Sequence, residues 1–287
     1  MSSMLLLLLS LAAIQSQPVG FKQLSQDQFA AAQRRGDGAE GSSPTHDQSF
    51  IREALARRGH TGDMAFLQGC DLTDAATDAA ALNANLVRAS HDWHAYQIAV
   101  EAGRVGVVPV DLPTSGVSHA DVQAAKHADQ SARRALSAPH PDGDLGELVT
   151  ELRLLSMCEV DVQTGSWMQG ESVRALFSET SDTSTIGAFV TLALHMDHLP
   201  HLQADYAEVY LRRQADLGLP VEPGLKLQDR SLINLGRPQR YATLILCEDG
   251  QPTFAGRVDL SEANRLRARA GLPPEDLETR ATNSYCG

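Results

Sequence analysis

The sequence predicts a mainly α-helical protein, a helical bundle-like domain or domains with one small β-hairpin near the C-terminus. Three observations carry that reading. Apolar residues recur at helical spacing through most of the chain after about residue 49. Ser, Thr or Asp stands before several of these stripes and Gly or Pro after them, as helix ends require. Only once, from Tyr241 onward, does the apolar period shorten from 3.6 to 2.

Residues 1–20 carry no charge, and the run Met4 to Ile14 is apolar apart from Ser10. That run is too short for a bilayer-spanning helix, which needs ~20 apolar residues. It suits the apolar centre of a secretory signal peptide. Residues 1–20 are therefore expected to be a signal peptide, leaving no stable membrane span after its cleavage. Residues 21–48 are rich in Gln, Ala, Gly, Ser and charge, and read as a flexible linker.

A helical N-terminal region is expected over 49–140. Phe50, Ile51, Ala54 and Leu55 begin one stripe that Gly59 ends. Residues 77–103 read as a helix pair with Leu82, Leu86, Trp93, Tyr96 and Ala99 facing inward. Pro109 and Pro113 keep 105–116 extended, and Ser118 caps a helix running to Ala135.

Residues 141–287 form the second helical region. Leu145, Leu148, Leu152 and Leu155 mark a helix that follows Asp142 to Asp144, with Glu147 and Glu151 on its solvated side. Thr183 or Ser184 caps a helix whose Ile186, Phe189, Val190 and Ala193 face inward. Pro200 opens another, running to about Leu217, which Gly218 and Pro220 stop. One more runs from about Pro223 to Leu235, closed by Gly236. A strand over Tyr241 to Cys247, a turn at 248–251 and a return strand over Thr253 to Val258 make the hairpin. Asp259 or Ser261 caps the last helix, which Gly271 and the Pro273–Pro274 pair end.

Composition narrows the function class. Lys and Arg total 24 against 36 Asp and Glu, a net charge of −12 that repels phosphate backbones and argues against a nucleic-acid partner. Cys70, Cys158, Cys247 and Cys286 show no C-x-x-C spacing, which excludes zinc-ribbon and thioredoxin readings. In the periplasm or outside the cell, four cysteines allow three full disulfide pairings, among which the sequence does not choose. No G-x-S-x-G elbow or Gly-rich phosphate loop is present.

Two polar clusters are the candidate sites. In the first, His195 is the candidate catalytic acid or base and Asp197 the group that orients it. His198, His201 and Asp205 follow, but the run lacks the general-base Glu of an H-E-x-x-H zinc helix, and no metal or cofactor is assigned. In the second, Asp229, Arg237, Gln239, Tyr241 and Thr243 gather where a helix meets the hairpin. Arg237 and Gln239 suit a carboxylate, phosphate or sugar, and Tyr241 adds a hydroxyl and a stacking face. The competing structural role pairs Arg237 with Asp229 to pin the hairpin, with Tyr241 filling the core.

These residues carry a resemblance. Asp161, His195-x-Asp197 with Pro200, Asp229–Arg230, the run Gly236 to Thr243, Asp249–Gly250 and Ala270 to Pro273 together resemble the bacterial domain-of-unknown-function family 6624. The likeness covers about residues 148–274, and DRSLINLGRPQRYAT is its most specific stretch. The family pattern has Gln before the His, Gly between Tyr and Thr, and Gln after the Thr. This chain has Leu194, Ala242 and Leu244 there. The resemblance implies no established activity, only a region in which to seek one. The expectation is an exported bacterial protein, a binding or interaction module of the cell envelope, whose partner is a small polar ligand or an envelope protein. The alternative is an enzyme of the hydrolase kind, in which His195 and Asp197 face Arg237, Gln239 and Tyr241 across a pocket.

Overall fold

The computed structural model describes residues 21–34, 75–104, 110–136, 138–139, 143–248 and 250–282. The first 20 residues, the stripe at 50–59, Cys70 and Cys286 lie outside the described residues. Eleven helices and one two-stranded antiparallel hairpin make up the described fold, so the mainly helical class with a C-terminal hairpin holds. The elements are α1 (Gln26–Arg34), α2 (Ala75–Ala89), α3 (Trp93–Gly103), α4 (His119–Ala135), α5 (Asp144–Met168), α6 (Glu171–Glu179) and α7 (Thr183–Leu194). There follow α8 (Pro200–Arg213), α9 (Glu222–Asn234), β1 (Ile245–Glu248), β2 (Gln251–Phe254), α10 (Leu260–Arg269) and α11 (Leu277–Thr282).

The 25-residue α5 organises the fold. Its faces meet α2, α3, α4, α6 and α7, so residues 151–161 are buried on all sides. Glu147 is exposed as expected, but Glu151 is buried, because α5 is a central helix with no solvated side along that turn. Two apolar clusters form along it. The first joins Phe21, Phe29, Leu82, Leu86 and Tyr96 to Leu148–Val160 of α5. The second joins Trp167 and Met168 to α6, α7, α8 and α9 through Phe177, Phe189, Tyr206 and Leu227. A break at 140 therefore does not separate two cores, since α2 and α3 share theirs with α5.

The linker expected over 21–48 is corrected at its start. Residues 26–34 form α1, and Phe21 and Phe29 are buried in the first cluster. Phe29 packs on Trp93 and Tyr96, at 5.6 and 5.2 Å between ring centroids. Polar clamps hold the segment: the Tyr96 hydroxyl accepts from the Leu24 N–H at 3.1 Å, and Gln33 donates to the Val87 and Ser90 carbonyls. The many polar residues of this stretch concealed two aromatic anchors.

Helix ends follow local chemistry. Ser118 and Asp121 form a reciprocal capping box at α4. Asp182, rather than Thr183 or Ser184, caps α7, its carboxylate accepting two backbone N–H groups. Asp92 caps α3 and Asp259 caps α10. In the last turn of α3 and in the segment beyond α4, the buried Arg153 donates to the carbonyls of Ala102, Ala138 and Pro139, at 3.0, 2.6 and 2.8 Å. One guanidinium thereby ties the last turn of α3 to the segment that follows α4. Where the corner between α7 and α8 approaches α5, residue 165 is a glycine, and any side chain there would have to displace those of His198 and Leu199. A Cβ there would lie 2.8 Å from His198 Nε2 and 2.9 Å from Leu199 Cδ1.

Candidate functional site

His195 is the C-cap of α7, and its imidazole is 21% exposed. The structure orients it differently from the sequence reading. Its Nδ1 lies 2.8 and 2.9 Å from the two carboxylate oxygens of Asp129 on α4, while Asp197 has another partner. The reason is geometric: α7 ends at Leu194, and the following turn carries Asp197 toward α9 instead of beneath the imidazole. The Arg133 Nε is 2.9 Å from the same Nδ1 and 3.2 Å from Asp129 Oδ1. With the proton on Nδ1, the imidazole donates to Asp129 and Arg133 donates to the carboxylate, so every donor is used. Nε2 then presents its lone pair with no protein partner among the described residues. Arg133 also reaches Asp161 of α5, at 2.6 Å.

Asp197 faces Arg230 of α9 through two parallel bonds, at 2.7 and 2.6 Å. Asn234 and Gln203 donate to the same carboxylate, at 2.8 and 3.2 Å. The carboxylates of Asp129, Asp161 and Asp197 are all buried, against the two guanidinium groups of Arg133 and Arg230. With every group ionised and His195 neutral the network carries one negative charge too many, and it holds the balancing proton unevenly. Burial pushes the Asp129 and Asp197 carboxyls up, but His195 and Arg133 outweigh it at Asp129 and Arg230 outweighs it at Asp197, so both lie below the ordinary value. Asp161 is pushed up to about 7, by burial first and then by the neighbouring Asp129 and Asp197, against the pull of Arg133. His195 lies below its ordinary value, through burial and then Arg133, with Asp129 opposing.

The second cluster is built on backbone. Asp229, fully buried on α9, accepts the N–H groups of Arg240, Tyr241 and Thr243, at 2.7, 3.1 and 3.0 Å, and the Thr243 hydroxyl at 2.8 Å. Those N–H groups are thereby withdrawn from any sheet ladder. The strand expected over Tyr241 to Cys247 consequently begins only at Ile245, and its partner ends at Phe254 rather than Val258. Ala242, at φ +53°, is the one non-glycine residue with positive φ among the described residues. Gln239 is buried too. Its amide donates to the carbonyls of Leu244 and Ala255, and its oxygen accepts the Leu244 N–H.

Of the expected ligand-binding residues, Asp229, Gln239 and Thr243 are thus engaged in fixing the segment, and Arg237 does not pair with Asp229. Arg237 is exposed with no side-chain partner among the described residues, Arg240 is exposed, and Tyr241 is half-buried. The Arg240 guanidinium sits 5.6 Å from the Tyr241 ring centroid. Arg257 is also exposed, and donates to the Gly236 carbonyl at 3.1 Å. No hydrogen bond or ion pair among the described residues joins this group to His195. The two clusters share a helix, since Asp229 and Arg230 are neighbours on α9.

The remaining histidines stand apart. His201 is exposed, Asp205 pairs with Arg174 at 3.3 Å, and His91 is exposed beside the capping Asp92. Among the described residues no three His, Cys, Asp or Glu side chains converge as a metal site. No helix among them is long and apolar enough to cross a membrane. Cys158 and Cys247 are both disulfide-bonded. Comparison of the chain with protein-family models, curated proteins and solved structures returned no match.

The sequence reading missed Asp129 and Arg133 as partners of His195, and Asp161 as the second carboxylate on Arg133. A signal was there. Asp129 sits in the stripe Val122, Ala125, Asp129, Ala132, and Asp161 in the stripe Leu154, Met157, Asp161, Met168. A carboxylate at the centre of an apolar helix face requires a buried partner.

Proposed function

We propose that this chain is an exported bacterial protein of the family-6624 type that works in the periplasm or outside the cell as a binding or interaction module. Its recognition surface is the segment Gly236 to Thr243, and its ligand is a small polar molecule or an envelope protein that presents carboxylate or phosphate groups. The observation that carries this reading is the way the segment is held. A fully buried Asp229 and a buried Gln239 fix its backbone, while Arg237, Arg240 and the Tyr241 ring stay available outside. Such preorganisation lowers the ordering cost of binding, and Arg is well suited to planar oxyanions. The disulfide-bonded state of Cys158 and Cys247 supports an oxidising compartment. The positive φ of Ala242 falls where the family pattern has glycine, which supports the resemblance.

Titration calorimetry of the processed protein with inorganic phosphate, a dicarboxylate and a neutral oligosaccharide tests the reading. Saturable binding of an anion that an Arg237→Ala/Arg240→Ala double variant loses is expected. Equal binding by parent and double variant would refute it. Mass spectrometry of the protein from its host tests export, and an intact Met1-bearing form in the cytosol would contradict it.

One observation favours a second reading, that of an acid–base enzyme: the Asp129-oriented imidazole of His195 with an unengaged Nε2. In that version Asp129 takes the orienting role first given to Asp197. Hydrolysis of activated esters that survives His195→Ala unchanged would end it.

A further inference from the structure

A cavity of about 510 Å³ opens between α5, the start of α6 and the extended segment before α4. None of its described lining residues belongs to either polar cluster. Val110, Leu112, Val162, Trp167 and Val173 supply its apolar surface, and Thr114, Gln163 and Ser166 its polar groups. Among the described residues no charged side chain lines it, in a chain with 21% charged residues. The hydroxyls of Thr114 and Ser166 and the amide of Gln163 make no hydrogen bond to protein among the described residues, and all three are exposed at the rim. The wall is fixed in place: the Trp167 indole donates to the Pro113 carbonyl at 2.9 Å, tying the segment to α5. Apolar walls with a few convergent neutral polar groups, in a volume of this size, are the ordinary make-up of a small-molecule site.

We infer that this cavity is a second ligand site, for a small uncharged amphipathic molecule with an aromatic or aliphatic body and one hydrogen-bonding end. The body lies against Trp167 and the valines, and the polar end meets Thr114, Gln163 and Ser166. An anion gains nothing there, because no cation among the described residues lines the wall and its charge would lose solvation. The site therefore differs in chemistry from the arginine-bearing segment and operates independently of it.

The chain holds two tryptophans, Trp93 and Trp167, so Trp93→Phe leaves the cavity's indole as sole reporter. Titration with the neutral probe N-phenyl-1-naphthylamine is expected to quench Trp167 emission saturably, with a Kd on the order of 100 μM or tighter. Ser166→Phe and, separately, Thr114→Phe fill the rim from opposite walls. Each is expected to weaken binding about tenfold or more at unchanged melting temperature, whereas Arg237→Ala leaves it intact. The anionic analogue 1-anilinonaphthalene-8-sulfonate should bind about tenfold more weakly than the neutral probe. Absence of saturable quenching, full affinity in both filled variants, or tighter binding of the anion would each overturn the inference.

Discussion

Asp229 and Arg230 are neighbours on α9, yet they belong to two polar regions built on opposite rules. Arg230 enters a network where each carboxylate meets a cation: Asp197 with Arg230, and Asp129 and Asp161 with Arg133. Asp229 enters a region where a carboxylate meets only neutral donors, three backbone N–H groups and one hydroxyl. Their proton affinities separate accordingly. Arg230 holds the Asp197 carboxyl below its ordinary value, whereas burial keeps Asp229 above it despite four donors. The first region ties helices to one another. The second fixes the course of an exposed segment, so its failure would appear first at the surface.

The sharpest break of that comparison is Arg230→Ala, which leaves Asp197 buried without its cation. A loss of about 3–5 kcal/mol in denaturant-derived stability is expected, and a loss below 1 kcal/mol would show the pair to be peripheral. Asp229→Asn keeps the shape but replaces one acceptor oxygen by a donor facing N–H groups. A cost of about 1–3 kcal/mol is expected, with faster amide exchange at Arg240, Tyr241 and Thr243 and little change at α7.

A smaller effect, and a pH-dependent one, belongs to Asp161. Its pKa rises from 3.8 to about 7 on folding, so the native state holds that proton more tightly than the unfolded chain. The resulting stabilisation is complete below about pH 4 and is lost as pH climbs to about 7. Asp129, Asp197 and His195 have the opposite sign, since their pKa values are depressed and their contributions fade on acidification. Asp161→Asn should therefore flatten the fall in melting temperature between pH 5 and pH 8, by about a few degrees. An unchanged slope would place the proton elsewhere. The smallest effect on stability is that of Arg237→Ala, within about 0.5 kcal/mol, although this variant should weaken anion binding. A large stability loss there would convert the exposed arginine into a pin.

Legibility from sequence divided along the same line. Features set by a few neighbouring residues were readable: the Ser118 and Asp259 caps, Pro200 at the head of α8, and the turn that places the hairpin. Features set by distant partners were not. His195 lies 66 residues from Asp129, and the nearer Asp197 was the natural but incorrect choice of orienting group. The alternation from Tyr241 onward was visible, yet Asp229 had already claimed the amides that a strand would use. In the N-terminal stretch, low hydrophobicity outweighed two phenylalanines that docking makes decisive.

At a rise of about 1.5 Å per residue, the 25 residues of α5 reach about 37 Å, with one apolar cluster around the first part and another around its last turn. The helix thus serves as an axle on which both assemblies are mounted. A fragment ending near residue 140 would keep Leu82, Leu86 and Tyr96 but lose the surface they rest on, and would enter solution with its adhesive side bare. Length alone would let this chain be cut in two; its axle does not.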